Sequence, residues 1–483
     1  MAREQKGFVY KEFEKWIDEH RNEILDKLRG LVAIKSVSAP DDSTYPFGKG
    51  VNDVLEKMLE LGKENLLETE NYESYLGSIE WHVGGDETNT IGIWAHLDVV
   101  PEGSSDEWKY PPYEMTEDNG WLYGRGVADN KNAAVGALYI LKGLRESGYV
   151  PKHNLKLYLG TNEEVGMKDI SFYREKYSTP FVSIVPDSGF PGSSGEFGRL
   201  EFDLISQNKL SNRFLELQGG TVSNVVPGES SADIRILNED EKAAVKGVLE
   251  KTDNISISWT NDVAHIVATG KQSHAAIPQM GVNANKILTD AILQLPFLDQ
   301  NDRNIFEFIS NVNKDVFGTF LGIDGEDEIS GQTVSGGNVL SLSDGYIHLV
   351  NDCRFNVSDT SARLTENIRK IASENGFNAE FNSVKEPSFV NQDSPILGIL
   401  KNAYQDYTGE EATFPIGKGG TYAGKLPNAI ATGICKRKYT DFPEGIKPGH
   451  GSVHQPDECM PVEGYFEGIK LLAFLLTELD KAL

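Results

Sequence analysis

Phe13, Ile17, Ile24, Leu28 and Leu31 stand among Glu, Lys and Arg at the spacing of one helical face, which predicts a surface helix from Phe8 to about Ile34. A Pro/Ser/Gly-rich loop from Ser36 to Gly50 separates it from a second helix, Val51 to about Leu67. A strand is predicted from Tyr75 to His82. After the turn Gly84-Gly85-Asp86 the texture changes, and Thr90 to Val100 is almost continuously apolar up to His96. Such a run fits a strand buried on both faces of a parallel or mixed sheet. Leu155–Gly160 and Phe181–Val185 repeat it. Between them Leu122 to Asp129 leads into a helix from Asn130 to about Ser147.

From about Gly192 the pattern becomes alternating. Strand-like runs at Gly198–Ile205, Arg213–Leu217, Ile255–Trp259, Val263–Thr269 and Tyr346–Arg354 mix with helices at about Glu239–Lys251, Val282–Leu298, Asp302–Phe317 and Ser361–Glu374, with an edge near Phe381 to Ser388. Helical signals resume at Ser394–Thr408, a strand follows at Ala429–Cys435, and an amphipathic helix closes the chain from Val462 to Leu483. The expectation is an α/β protein: a mixed, mostly parallel sheet flanked by helices, spanning 1–192 and 386–483, with an inserted α+β domain over 193–385.

A chain of 483 residues, 39% hydrophobic, exceeds what one core needs. Its formal net charge of -27 argues against nucleic acid or an anionic membrane as partner, since a polyanion is repelled over most of the surface. Cys353, Cys435 and Cys459 are sparse, odd in number and in no C-x-x-C pair, so no disulfide framework is expected. The N-terminal residues run into a charged helix with no apolar signal region, and no apolar run is long enough to span a membrane. A cytoplasmic protein is expected.

Chemistry concentrates where predicted strands end. His96 and Asp98, two apart on a strand, point the same way, although a lone H-x-D also describes a satisfied core histidine. Asp129 sits at a strand-to-helix corner, where it could equally be a plain helix cap. Glu163-Glu164 follows one strand and Asp187 another; adjacent glutamates after a strand are usually a solvated turn. Four strands ending in His, Asp or Glu nonetheless match the ligand-gathering edge of an open α/β sheet. If Glu164 binds a cation, Glu163 is left beside it to take a proton from water. A glycine-rich loop then offers His450 and His454, both ligand candidates. The loop Pro415 to Tyr422 is no phosphate-binding motif, its Lys418 being followed by Gly, but its amides suit a carboxylate.

In order, H-x-D (His96, Asp98), G-R-G-x-x-D-x-K (to Lys131), E-E-x-G, P-D (Asp187) and a late H-x-P-D-E (His454 to Glu458) resemble the clan MH dinuclear zinc metallopeptidases, the superfamily of aminoacylase, carboxypeptidase G and desuccinylase. The wording AHLDVVP and PDSGFP, with the long insertion, is most similar to the bacterial dipeptidase V group. The resemblance implies two divalent metal ions, Zn first with Mn or Co as alternatives. It implies His96 and Asp187 on one ion, Glu164 and His454 on the other, and Asp129 bridging, with a cis peptide after it. Asp98 then orients His96, Glu163 is the general base, and His450 drops out.

The insertion corresponds to the family's lid. There His274 matches an oxyanion contact, Asn224 a polar substrate contact and Arg354 the arginine that takes the substrate carboxylate, while Gly419, Gly420 and Thr421 match the carboxylate loop. Asn132 and Asn162 depart from the family's usual Gly and Asp. The implied reaction is hydrolysis of dipeptides with a free C-terminal carboxylate by water held between two metal ions, in a monomer. An N-acyl amino acid deacylase and a noncatalytic metal-dependent peptide-binding protein are the alternatives.

Overall fold

The computed structural model describes residues 4–5, 8–39, 44–249, 252–438 and 440–483. It divides into two compact units, one of residues Met1–Gly195, Phe389–Pro415 and Gly420–Leu483, the other of Glu196–Ser388 and Ile416–Gly419.

The first unit is built on a six-stranded sheet in the order Ala429–Ala431, Val182–Val185, Thr90–His96, Asn154–Gly160, Leu76–Trp81, Glu68–Tyr72. The first four run parallel and the last two are antiparallel additions. Every residue of Thr90–His96 and Asn154–Gly160 is buried, which is why both are largely apolar, with Lys156 the one charged residue inside the second. Their register sets His96 opposite Gly160, so the two strands finish level and release their chemistry at the same edge. Helices Lys131–Glu146 and Val462–Ala482 are almost wholly buried and share the core with the sheet. No described helix is long and apolar enough to cross a membrane.

Three details differ from the sequence reading. The first predicted helix is two, Tyr10–Glu19 and Arg21–Val32, broken at His20. The His20 amide caps the Trp16 and Ile17 carbonyls, and its ring stacks on Trp16 at 3.8 Å. The edge strand Glu68–Tyr72 was missed because only Tyr72 is buried, leaving no alternation to read. Most consequentially, Asp129 does not end a strand of the main sheet. Trp121–Tyr123 belongs to a separate three-stranded sheet with Thr116–Asp118 and Cys459–Pro461, and a turn from Gly124 carries the chain to Asp129.

The second unit is an eight-stranded sheet in the order Ile255–Thr260, Val263–Thr269, Glu229–Arg235, Phe214–Gly219, Val334–Ser343, Tyr346–Phe355, Gly198–Ser206, Phe377–Lys385, antiparallel throughout. Gly198–Ser206 alternates buried and partly exposed residues along its whole length. Helices Ala284–Ile292, Gln300–Val312 and Ser361–Glu374 contribute their apolar faces to the same core. The described helix from Glu239 extends to Leu249; its predicted end at Lys251 lies outside the described residues.

Candidate active site

At the edge where the parallel strands end, His96, Asp98, Glu163, Glu164 and Asp187 come together with Asp129 and His454 from two loops. His96 is buried, and its Nδ1 stands 2.9 Å from the Asp98 carbonyl. A carbonyl only accepts, so this contact places the ring proton on Nδ1 and leaves Nε2 facing Asp129 Oδ1 at 3.0 Å, with Asp187 Oδ2 at 3.8 Å. From the other side, His454 Nε2 lies 3.0 Å from Asp129 Oδ2 and 3.1 Å from Glu164 Oε2. The two oxygens of Asp129 are thus each met by an imidazole.

The donor atoms of His96, Asp129 and Glu164 lie within 4.8 Å of one another, and so do those of His96, Glu163 and Asp187. Glu163 Oε1 and Glu164 Oε1 are buried without a hydrogen-bond partner among the described residues. Orphaned acidic oxygens beside two imidazole nitrogens fit a divalent cation pair better than any protein donor on hand. The electrostatics agree. Burial raises the Glu163 pKa well above the carboxylate range; His96 opposes this, while Asp187, Glu164 and Asp129 reinforce it. Burial and the Asp129 charge push Asp187 up to about 7, partly offset by His96. Hydrogen bonds to Asp129 and Glu164 raise His454 to about 11. So many acids in one buried place need positive charge between them.

Each donor is held from behind. The Asp98 carboxylate accepts the amides of Glu163 and Glu164, each at 3.1 Å, so Asp98 supports both glutamates as well as the ring. Asn130, joined to Asp129 by a cis peptide, donates from Nδ2 to Asp187 Oδ1 and to the Pro186 carbonyl at 3.0 Å each. Its Oδ1 accepts the His96 amide at 3.2 Å. The turn before Asp129 wraps a buried carboxylate: Glu458 Oε1 accepts from Gly126, Ala128 and Asp129 N–H at 3.1, 2.9 and 3.1 Å, and Oε2 takes Arg125 Nη1 at 2.6 Å. Glu458 stands in the loop of His454, so it ties the two loop-borne donors together. Lys131, buried, donates to the carbonyls of Leu31 and Ile34, and burial lowers its pKa to about 7.

Beyond the strand Asn154–Gly160, Asp169 in the helix Lys168–Lys176 accepts at Oδ2 the Thr161 N–H at 2.7 Å and the Asn162 N–H at 3.0 Å, and also the Tyr422 hydroxyl. Burial and the Asp98 charge raise Asp169 to about 6 despite these donors. Asn162 donates to Ser38 Oγ at 2.6 Å and accepts Lys168 N–H at 3.1 Å, so it staples the turn without adding another charge. Asn132 donates to Met460 Sδ at 3.5 Å. Sequence reasoning assigned no role to Asn130, Asp169, Tyr422 or Glu458. Glu458 lay inside a recognised motif and could have been found; Asp169 reads as an ordinary first-turn helix acid.

His450 lies outside this cluster, its Nδ1 2.9 Å from Asp457 Oδ2. His454 adopts positive φ at +65°, a conformation unfavourable for a non-glycine residue, in a loop that also carries Gly449 at +82° and Gly451 at +90°.

In the second unit, Val225 pairs with His274, and Ala275 N–H donates to the Asn224 carbonyl at 2.8 Å, which brings Asn224 and His274 side by side. His274 Nδ1 accepts Ala276 N–H at 3.0 Å, so Nε2 carries the proton. Arg354 is buried and three of its five N–H groups are engaged: Nε and Nη2 donate to Asp352 at 2.6 and 3.1 Å, and Nη1 to the Lys418 carbonyl at 2.9 Å. That contact sets Arg354 beside the glycine loop just before Gly419. In the first unit, Thr421 Oγ1 accepts Ala423 N–H at 3.1 Å, which fixes the chain after Gly420.

Comparison with known proteins adds a separate line. The model of peptidase family M20/M25/M40 matches residues 92–478. A Beta-Ala-Xaa dipeptidase of Lactobacillus delbrueckii subsp. lactis is 29% identical over 482 residues, covering 97% of this chain and 98% of that protein. Among solved structures, human carnosine dipeptidase 1 aligns with a TM-score of 0.56 at 16% identity, over 98% of this chain and 99% of its own. The aminoacylhistidine dipeptidase of Vibrio alginolyticus aligns with a TM-score of 0.55 at 13% identity, over 94% and 96%. At those identities the two structures share the fold.

Proposed function

The chain belongs to peptidase family M20/M25/M40, and on that premise we propose that it is a metal-dependent dipeptidase acting on dipeptides with a free C-terminal carboxylate. The observation that carries this reading is the pair of imidazoles on the two oxygens of Asp129, with the unpartnered Glu163 oxygen beside them. His96, Asp187, Glu164, His454 and Asp129 are the residues that would hold two divalent ions, and His96, Asp129 and Glu164 already bring donor atoms within 4.8 Å of one another. The buried orphan oxygens and the His/Asp/Glu donor set support Zn, Mn or Co. When bound, the ions supply Lewis acidity that polarises the scissile carbonyl and makes water a stronger acid.

The rest is done by the chain. Glu163 takes a proton from water as that water attacks the scissile carbonyl carbon. Burial raises the affinity of this carboxylate for a proton. As the C–N bond breaks, Glu163 gives the proton to the leaving amine. Asp98 keeps Glu163 and Glu164 aimed through their backbone amides. His274, with its proton on Nε2, is the proposed hydrogen-bond donor to the developing oxyanion, a role that contributes on the order of 3 kcal/mol elsewhere. Asn224, Arg354, Gly419, Gly420 and Thr421 are the proposed substrate contacts. The first unit, with every proposed ligand, serves as the catalytic domain, and the second as the lid.

The relative of 29% identity is named for β-alanyl dipeptides, which favours including them among the substrates tested here. A panel of unblocked dipeptides, β-Ala-Xaa included, assayed against N-acetyl and N-succinyl amino acids with Zn, Mn or Co added, tests the reading. Hydrolysis of the unblocked dipeptides is expected. Activity confined to blocked substrates would replace it by a deacylase, and none on either class by a peptide-binding protein. A cytoplasmic location fits the three free cysteines and is checked by fractionation, and size-exclusion chromatography tests the expected monomer.

A further inference from the structure

The turn bearing Glu163 and Glu164 is held by acids. The strand before it ends at Gly160, and the next four amides all go to two buried carboxylates: Thr161 and Asn162 to Asp169 Oδ2 at 2.7 and 3.0 Å, Glu163 and Glu164 to Asp98 Oδ1 and Oδ2 at 3.1 Å each. Asp98 also touches the His96 ring and belongs with the ligand set. Asp169 does not. It stands in the first turn of the helix Lys168–Lys176, fully buried, with Oδ1 accepting Ile170 N–H at 2.7 Å. Its remaining donor is the hydroxyl of Tyr422.

Tyr422 directly follows Gly420-Thr421 in the loop proposed to receive the substrate carboxylate. Its path to Asp169 is built into the sheet. A Cβ on Gly160 would lie 1.8 Å from the Tyr422 hydroxyl oxygen and 2.5 Å from its ring, so the phenol occupies the volume any other residue would fill. Gly160 needs no positive φ, and space alone explains a glycine at the end of this strand.

We propose that Asp169 and Tyr422 are positioning residues that lock the turn Thr161–Glu164 and tie it to the loop Gly420–Thr421, so that the base and a substrate-carboxylate contact are set by one shared hydrogen bond. The inference rests on the dipeptidase reading for its kinetic half only. Substrate that orders the glycine loop then also steadies Glu163, and binding of the carboxylate end is felt at the reacting bond.

The test uses the metal-loaded full chain, its Tyr422→Phe and Asp169→Asn variants and the double variant. Amide hydrogen exchange across residues 161–164 is read beside kcat, KM and metal content. Tyr422→Phe removes one oxygen and leaves the ring in place. It is expected to speed exchange at 161–164 several-fold while Thr90–His96 stays protected. It is also expected to lower kcat about tenfold at unchanged metal content, the usual size for an outer partner. Asp169→Asn acts in the same direction, and the double variant falls short of the product of the two. Unchanged exchange in both single variants, fully multiplicative effects, or a kcat loss that merely follows lost metal would each overturn the proposal. If the wild type cleaves no dipeptide, the functional reading fails while the exchange data still decide the lock.

Discussion

Asp98 meets Glu163 through the backbone and not through the glutamate side chain: Oδ1 accepts the Glu163 amide at 3.1 Å while Oδ2 accepts that of Glu164 at the same distance. Its carbonyl at the same time takes the His96 ring N–H. One residue therefore aims an imidazole, a proposed ligand and a proposed base. Asp98→Ala leaves two amides without acceptors and is expected to reduce kcat/KM by about 10- to 100-fold with weaker metal retention. Steady-state kinetics and metal analysis on the same preparation check this.

Glu163→Gln keeps the shape of the side chain and removes its ability to take a proton. Turnover is expected to fall by at least about 100-fold while metal content stays near that of the wild type. A variant retaining most of its activity would take the base assignment away from Glu163.

Glu458 is the acceptor for three amides of the turn that ends at Asp129 and for the Arg125 guanidinium, with both side chains 1% exposed. Glu458→Ala strands a buried cation, and an unfolding penalty of about 3–5 kcal/mol is expected. Glu458→Gln, which keeps an acceptor, is expected to lose less. Urea unfolding of the metal-free proteins ranks them, and metal titration then shows whether the survivors bind ions more weakly, as a displaced Asp129 requires.

Asp169 carries a pH dependence of definite sign. Its pKa is raised to about 6 by burial, above the value of 3.8 expected for it unfolded. Between those values the native state binds more protons, so this residue favours folding at acid pH and loses that advantage as pH rises through about 6. Relative to Asp169→Asn, the metal-free wild type is expected to be about 1–1.5 kcal/mol better placed at pH 5 than at pH 7.5. Unfolding curves for both proteins at the two pH values measure it.

Much of the first unit was legible from residue pattern alone. Thr90–His96, Asn154–Gly160 and Val182–Val185 announce themselves because each is buried on both faces, and each delivers its His, Glu pair or Asp at the same sheet edge. The pattern from Leu122 to Asp129 reads as a strand meeting a helix at Asp129, but the short Trp121–Tyr123 belongs to another sheet and the turn around Glu458 does the placing. What hid from the sequence is what acts across long separations. Nothing near Asp169 announces that Tyr422 will donate to it, and nothing near Gly160 says why it lacks a side chain. Edge strand Glu68–Tyr72 hid for a different reason, its residues being mostly exposed and polar.

The donors that surround Asp129 come from residues 96, 164, 187 and 454, and the unfolded chain gathers them nowhere. On the proposed ligand assignment, ions held by them would act as a seal on the finished molecule, selecting the one conformation in which the C-terminal loop has returned to the sheet. By mass action, free ion at about a hundred times its dissociation constant adds about 2.7 kcal/mol to the native state. A chain cut before His454 would forfeit that increment along with a proposed ligand. Ambient metal would then set the lifetime of the protein against proteolysis as well as its speed.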